Sequence, residues 1–542
     1  MRTCDRIAEF LLSRGIRDFF GFQGGAVTPL IDALVMHGMR YHQCLHEQAS
    51  GFAAEAWSRV TGKTGVVVVT NGPGVTNVLS AVANANLDST PCLFLFGQVN
   101  RADIKKDGSR QNGFQEVDSL GMARPVCKLA DAVMDPGEIC TVLSRAFHVA
   151  ESGRKGAVCL DVPMDVLLSE SLQPSATETS PVEYGPATIQ DVMKAAEMLS
   201  SAEHPAILAG AGVRASGATD ALRRFADSSG IPVAKTLMGL DSLYGECAGF
   251  SGVYGHVAAN RAILESDVLL VLGSRLAKRQ IGKSIEAYAP NAKIIHVDIS
   301  PEELGDLPPA DLMVKADAGS FLSSLAEVFV PGDYSRWTEK ILQWKCTYAA
   351  APLRNQGFDP VGAVQALSVG APDDIVATFD VGQNEMWCAQ GWEVKRGQRV
   401  LASGGLGCMG FSVPAAIGAA IAGRRAWAFT GDGGLQMNIQ ELQTIASRKL
   451  PVKVFVFNNQ SLGMIQEGQA KYHDGRYYGT KSGYTVPDLQ MIANAYGLRY
   501  ARFTFEDTPA IAAMEGPVMV EIGVSGSPSR VLTRYDNPED YM

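Results

Sequence analysis

Short apolar runs alternate along this chain with longer stretches in which apolar residues recur every three or four positions, and the runs stop at glycine or small polar residues. Bounded apolar runs predict buried strands, and the 3.6-residue period between them predicts helices. In the first third, one run ends at Gly21-Phe22-Gln23-Gly24-Gly25-Ala26, and MRYHQCLHE leads into a helix of small residues, QASGFAAEAWSRVTG. GVVVVT then breaks at Asn71-Gly72-Pro73-Gly74, and LFLFGQV is a fourth strand-like run. The polar stretch SESLQPSATETSPVEYGPA reads as a linker. A second block follows, with strand-to-turn junctions in HPAILAGAGVRASG, DVLLVLGSRLAKR and NAKIIHVDISPEELG. After the weakly hydrophobic APLRNQGFD a third block opens, in which IVATFD stops at Asp380-Val381-Gly382-Gln383 and Gly404 to Gly410 begins a helix. Strands alternating with helices predict α/β units with parallel sheets, whose strand ends share one functional rim. Glu47, Gly25 and Pro73-Gly74 fall on that rim in the first block.

The most informative stretch is Arg425 to Asn459. The run Ala426 to Thr430 stops at Gly431-Asp432-Gly433-Gly434, a helical pattern follows, and the run Val452 to Phe457 stops at Asn458-Asn459. Parallel strands bring Asp432 and Asn459 to one edge. A hard carboxylate, an amide oxygen and nearby backbone carbonyls suit Mg²⁺, which prefers oxygen ligands and often shares them with a phosphate. The glycines let backbone approach that phosphate at a helix N-terminus. Either short motif alone is an ordinary turn; the pair at this spacing is more specific.

Length adds that 542 residues exceed one core, so several domains are expected. With 46% hydrophobic and 19% charged residues and 56 glycines, the composition is that of a soluble, loop-rich α/β protein. A formal charge of −10 gives no reason to expect nucleic acid or an acidic membrane as partner. Ten scattered cysteines without a CxxC pair argue against a zinc site or a disulfide framework and for a reducing, cytoplasmic setting. The N-terminus starts an amphipathic helix and is not a signal peptide, and no apolar run approaches the ~20 residues that span a bilayer.

Glu47 follows a strand at a helix start, where a carboxylate is ordinarily explained by the helix dipole. A different explanation comes from its company. His46-Glu47-Gln48, then TNGPGVTN with Pro73 and Asn77, then Phe114-Gln115-Glu116-Val117-Asp118 resemble, in order, the pyrimidine-binding domain of acetolactate synthases. The pair formed by Gly431-Asp432-Gly433 and Asn458-Asn459 resembles the thiamine-diphosphate motif, and GLGCMGFSVPAAIGAAIA and LPVKVFVFNN extend the likeness over nearly the whole chain. The resemblance implies the three-domain α/β thiamine-diphosphate enzyme fold, each domain a doubly wound, mostly parallel sheet with flanking helices. It places a pyrimidine-binding unit at 1–170, a central unit at 188–332 and a diphosphate- and Mg-binding unit at 358–526.

It also implies roles. Asp432, Asn459 and the Ser461 carbonyl would hold Mg²⁺ on the diphosphate, with Gly431, Gly433, Gly434, Gly382 and Gln383 beside it. Glu47 would bond the aminopyrimidine and activate the cofactor, the Gly407 carbonyl would hold its amino group, and Met409 would be the apolar wedge that bends it. Gly25, Phe114 and Gln115 would line the substrate side. The central domain of the family carries a structural FAD, for which Arg124, Gly210, Gly212, Arg275 and Asp298 align as contacts; Gly210-Ala211-Gly212 by itself is only a weak dinucleotide signal. The family's assembly implies a homodimer or homotetramer with active sites between subunits, acting on a 2-oxo acid and a second carbonyl compound.

This chain departs from the pattern on the acceptor side. Where the family reads LGMVxQW, it has Leu462-Gly463-Met464-Ile465-Gln466-Glu467-Gly468, so Gly468 replaces a tryptophan. RFDDR is Arg275-Leu276-Ala277-Lys278-Arg279, which keeps Arg279 for the acceptor carboxylate but loses the acidic neighbours. Gln23 replaces the usual proline, and the segment between Gln98 and Phe114 is longer and contains Arg101, Lys105, Lys106 and Arg110. The expected activity is decarboxylation of pyruvate with transfer of the acetyl unit to a second carbonyl, as in acetolactate synthesis. Transfer to a larger ketone, such as a nucleotide-linked keto sugar or a diketone, is the first alternative, and a non-ligating decarboxylase the second. An oxidoreductase built on the central block would leave Asp432 and Asn459 unexplained, and a binding-only subunit would leave Glu47 unexplained.

Overall fold

The computed structural model describes all residues except Asp107, 172–183, 283–284, 302–307, 349–357 and 525–542. Most of the expected linker, nearly all of APLRNQGFD and the tail beyond Val524 lie outside the described residues.

Among the described residues three six-stranded sheets carry the fold, and every paired strand runs parallel to its neighbour. The first contains β1 (Asp18–Gly21), β2 (Arg40–Gln43), β3 (Gly65–Val69), β4 (Cys92–Gln98), β5 (Leu129–Ala132) and β6 (Ala157–Pro163), ordered β2-β1-β3-β4-β6-β5. The second contains β7 (Pro205–Ala209), β8 (Val233–Lys235), β9 (Gly249–Phe250), β10 (Val268–Leu272), β11 (Lys293–Asp298) and β12 (Leu312–Lys315), ordered β12-β11-β10-β7-β8-β9. The third contains β13 (Val376–Phe379), β14 (Arg399–Ala402), β15 (Ala426–Gly431), β16 (Val452–Asn458), β17 (Arg499–Arg502) and β18 (Val518–Gly523), ordered β14-β13-β15-β16-β18-β17. Sheets one and three share one strand order, so the chain uses the same architecture twice without a residue-level repeat. Central strands such as Gly65–Val69 and Cys92–Gln98 are buried throughout, which is why they read as unbroken apolar runs.

The first and third units of one chain also share a core. Helix Glu47–Thr61 lies against helix Ser412–Ile421 so closely that a Cβ on Gly418 would fall 2.0 Å from the Ala53 carbonyl oxygen. Phe52, Ala53, Phe411, Ala415 and Ala416 sit in a single buried cluster. The small-residue face of QASGFAAEAW is therefore a helix–helix contact surface, where side-chain volume would force the backbones apart.

The helical pattern after Gly434 is not one helix. Asp432–Met437 and Glu441–Ser447 are separate, broken at Asn438, whose amide donates to the Gly410 carbonyl and to Gln48 Oε1. The 3.6-residue period survives such a break, so hydrophobic pattern alone could not reveal it.

Candidate active site

Parallel pairing of β15 with β16, with Gly431 opposite Phe457, brings Asp432 and Asn459 together at the strand ends. Asp432 Oδ2 accepts the backbone N–H groups of Asn459 and Gln460 at 3.1 and 2.8 Å, while Oδ1 accepts the Tyr484 hydroxyl at 2.6 Å. Burial raises the Asp432 carboxyl above its ordinary range, the condition under which a nearby cation stabilises it most. The Asn459 side-chain amide donates to Gln383 Oε1 at 3.2 Å, which leaves its oxygen on the other side; Ser461 N–H reaches that oxygen at 3.2 Å. Gln383 in turn donates to Glu467.

The glycines here answer to space. A Cβ on Gly433 would lie 2.6 Å from Leu462 Cδ2 and 2.9 Å from the Tyr484 oxygen, with Met409 Cε at 3.4 Å; one on Gly463 would lie 1.8 Å from Gln383 Oε1. Gly407 holds a φ of +72°, so its turn favours glycine. The loop is tied to the sheet by Asp380, which accepts the Gly410 N–H and the Thr430 hydroxyl and is pushed up to about 6 by burial. Oxygen donors on one side of a close-approach backbone cradle fit a magnesium-bound diphosphate.

A second group sits on the first sheet's rim. Glu47 opens its helix, and the preceding His46 caps it by accepting the Gln48 N–H. Glu47 is buried, and its Oε2 accepts the Asn77 amide at 2.9 Å; Oε1 faces Gly74, whose Cβ would be 3.6 Å away. The Asn71 amide donates to the Phe114 carbonyl, and Gly72 lies against Gln115, itself at a φ of +62°. Pro73 begins the adjoining helix Pro73–Leu87. Gly25 has nothing within 4 Å of an added Cβ, and Phe114 is 86% exposed. The buried Glu116 accepts the Lys105 and Asn112 N–H groups, so the longer segment between Gln98 and Phe114 folds over one carboxylate. No hydrogen bond or ion pair among the described residues joins Glu47, Asn77, Phe114 or Gln115 to Asp432, Asn459, Gly407 or Met409 within one chain. Around them the first and third units do touch, through Asn438, which donates to both Gln48 and the Gly410 carbonyl.

The third group lines a cavity of about 960 Å³ where the three units meet. Gly212, Arg275, Arg279 and Asp298 line it; Gly210 is packed against the Gly273 carbonyl behind the wall, and Arg124 is not among the lining residues. Nine arginines and lysines face five carboxylates in this wall, a balance suited to an anion. Asp298 pairs with Arg154 at 2.7 Å, and Arg279 with Glu385 at 2.9 Å. Glu385 is fully buried next to Met386 and Trp387, and burial pushes it up to about 7. Met464 packs at the edge of the third unit's core, and an added Cβ on Gly468 meets nothing within 4 Å. Sequence reasoning missed Tyr484 and Glu385. Tyr484 lies 52 residues from Asp432 in a loop without a motif, while a carboxylate beside two large apolar residues was a readable signal for Glu385.

A carboxylate–amide corner in a glycine cradle and a buried carboxylate on a second rim are features on which a thiamine-diphosphate enzyme would hold its cofactor. The family models for the N-terminal TPP binding domain, central domain and C-terminal TPP binding domain of thiamine pyrophosphate enzymes match residues 1–122, 192–325 and 380–522. The acetolactate synthase large subunit of Lactococcus lactis subsp. lactis is 34% identical over 96% of this chain and 92% of its own length. The acetolactate synthase isozyme 2 large subunit of Escherichia coli (strain K12) is 34% identical over 97% and 96%. The acetolactate synthase large subunit of Cyanidium caldarium is 35% identical over 96% and 93%. The chain belongs to the acetolactate synthase large-subunit family. It is accordingly a carboligase of the thiamine-diphosphate class, dependent on that cofactor with Mg²⁺.

Proposed function

We propose that the protein decarboxylates pyruvate and joins the acetyl unit to a second 2-oxo acid. The observation that carries this is the Asp432–Asn459 corner with its glycine cradle. Asp432, Asn459 and the Ser461 carbonyl would hold Mg²⁺, and Gly431, Gly433, Gly434, Gly382 and Gln383 would receive the diphosphate. Thiamine diphosphate, when bound, supplies a nucleophilic thiazolium carbon and an electron sink for the pair released as CO₂ leaves. Glu47, with Oε2 held by Asn77, would use Oε1 to exchange a proton with the pyrimidine ring nitrogen. Pro73 would support that ring, the Gly407 carbonyl would accept from its amino group, and Met409 would press the two rings into a reactive bend. Gly25, Phe114, Gln115 and Met464 would surround the substrate, and Arg279, seated on Glu385, would meet the acceptor carboxylate.

A homodimer or homotetramer would join the two groups between subunits, and the exposed Phe114 would be covered there. The nine-to-five charge balance of the central cavity supports FAD as a structural occupant, held through Gly212, Arg275 and Asp298, with Arg124 and Gly210 behind. No helix among the described residues is long and apolar enough to cross a membrane, and the scattered cysteines, without a CxxC pair, favour a reducing cytoplasm.

One observation favours a second reading. The wall enlarged by Gly468 is not refilled at the Cβ position, and Gln466 and Glu467 are engaged with Ser461 and Gln383. That space, of the order of an indole burying ~150–250 Å², would admit a bulkier ketone acceptor. Mass spectrometry of products from pyruvate with a panel of ketones decides. Acetolactate alone supports the first reading; a ligated bulky ketone, lost in Gly468→Trp while pyruvate decarboxylation persists, supports the second. A protein that makes neither, holds no thiamine diphosphate and gains no flavin colour with FAD would refute the assignment.

A further inference from the structure

The loop Ser403–Gly410, which carries Gly407 and Met409, is fixed by side chains from outside its own sheet. Asp88, at the end of helix Pro73–Leu87 in the first unit, accepts the Gly405 N–H at 2.7 Å and the Gly404 N–H at 3.1 Å. Arg59 donates at 2.9 Å to the same Oδ2 that accepts the Gly404 N–H, pairs with the fully buried Glu55, and donates to the Ala402 carbonyl just before the loop. A parallel thread runs from Glu55 to the Asn84 amide at 2.7 Å, from Asn84 to the Ser403 hydroxyl, and from the Cys408 N–H to Ser403 Oγ at 2.8 Å. Cys408 lies between Gly407 and Met409, so this thread ends within one residue of both.

The loop has little freedom to move sideways. A Cβ on Gly404 would fall 2.2 Å from Met238 Sδ of the central unit, and one on Gly405 would fall 2.7 Å from Leu87 Cβ. All three units therefore press on two consecutive glycines, and Asp88 supplies the directional bonds that set the register of the backbone from Leu406 to Met409.

We propose that Asp88 is a positioning residue of the reaction, acting through the Gly404 and Gly405 N–H groups to hold Gly407 and Met409 where they orient the cofactor's pyrimidine. This rests on the thiamine-diphosphate roles of Gly407 and Met409. One first unit then serves two active centres of a dimer. In the dimer proposed above, Glu47 at the start of its helix would reach the partner's cofactor, while Asp88, with Arg59 about three turns along that helix, sets the loop of its own chain.

The test is Asp88→Asn, which keeps shape but replaces one acceptor oxygen by a donor facing an N–H. In the cofactor-free protein, amide exchange in the peptide containing Gly404 and Gly405 should accelerate while other regions keep wild-type protection. In the holoenzyme, kcat and exchange of the thiazolium C2 proton should fall together by about 10²-fold, the scale of a 1 Å misplacement, with KM for pyruvate and cofactor affinity within about threefold. Ser403→Ala, which cuts the second thread, should show the same pattern more weakly and stands in if Asp88→Asn does not fold. C2 exchange at the wild-type rate in a folded variant overturns the proposal, as does a loss shared equally by turnover, cofactor affinity and thermal stability. Asp432→Ala separates the two readings: if it fails to weaken cofactor binding, the thiamine-site assignment falls; if only the Asp88 and Ser403 variants behave as wild type, the positioning role falls alone.

Discussion

At the scale of the residue, Glu47 and Gly463 show how much single atoms determine. Glu47 commits Oε2 to Asn77 and keeps Oε1 toward Gly74, so replacing it by glutamine preserves volume and the Asn77 contact but removes the proton that Oε1 would exchange. Glu47→Gln should fold and bind cofactor as wild type while turnover and C2-proton exchange, followed by NMR, drop roughly 10²–10⁴-fold, the range for lost acid–base catalysis. Unaltered exchange would remove Glu47 from the role of activator. Gly463→Ala would put a methyl 1.8 Å from Gln383 Oε1 and 2.9 Å from Asn459 Nδ2, both at the ends of side chains. Gln383 should swing away and release Asn459 Nδ2, raising the Kd for magnesium thiamine diphosphate about tenfold, the worth of about one hydrogen bond, with thermal stability little changed. Calorimetry of cofactor binding measures this, and an unchanged Kd would mean that Gln383 does not orient Asn459.

At the scale of the element, the break after Met437 places Glu441 at the start of a second helix, where its buried carboxylate accepts the Leu45 N–H two residues before Glu47 and the Thr444 hydroxyl. Burial pushes this carboxyl up to about 7. In the unfolded chain it titrates near ~4.3, so between these values the folded state holds a proton that the unfolded state has lost. Its contribution to stability is full below the lower value and declines as pH rises through the window. Thermal midpoints should therefore fall less between pH 5 and pH 8 in Glu441→Gln than in wild type. Parallel curves for the two proteins would show that Glu441 does not titrate there.

At the scale of the molecule, the first and third units of one chain share a core. In the proposed dimer a partner subunit supplies the other half of each centre. Glu47→Gln and Asp432→Ala should each be nearly inactive, but unfolding and refolding them together should restore about a quarter of wild-type activity, because half the dimers are mixed and each mixed dimer has one intact centre. Recovery of nothing above the separate variants would place Glu47 and Asp432 of one centre on one chain.

Some of this was written in local sequence. Apolar runs ending at glycines fixed strand and rim positions, because fully buried parallel strands cannot alternate polar with apolar residues. The Asp432–Asn459 corner was legible because both residues end adjacent strands, so spacing along the chain reported proximity in space. Tertiary structure alone decided what depends on contacts between distant segments: Tyr484 on Asp432, Glu385 under Arg279, Asp88 on Gly404 and Gly405, and the helix break at Asn438. A hydrophobic pattern records which face is buried, but a hydrogen bond between segments 52 to 390 residues apart leaves no period. It becomes visible only when the packing of Ala53 on Gly418 has set the two units against each other.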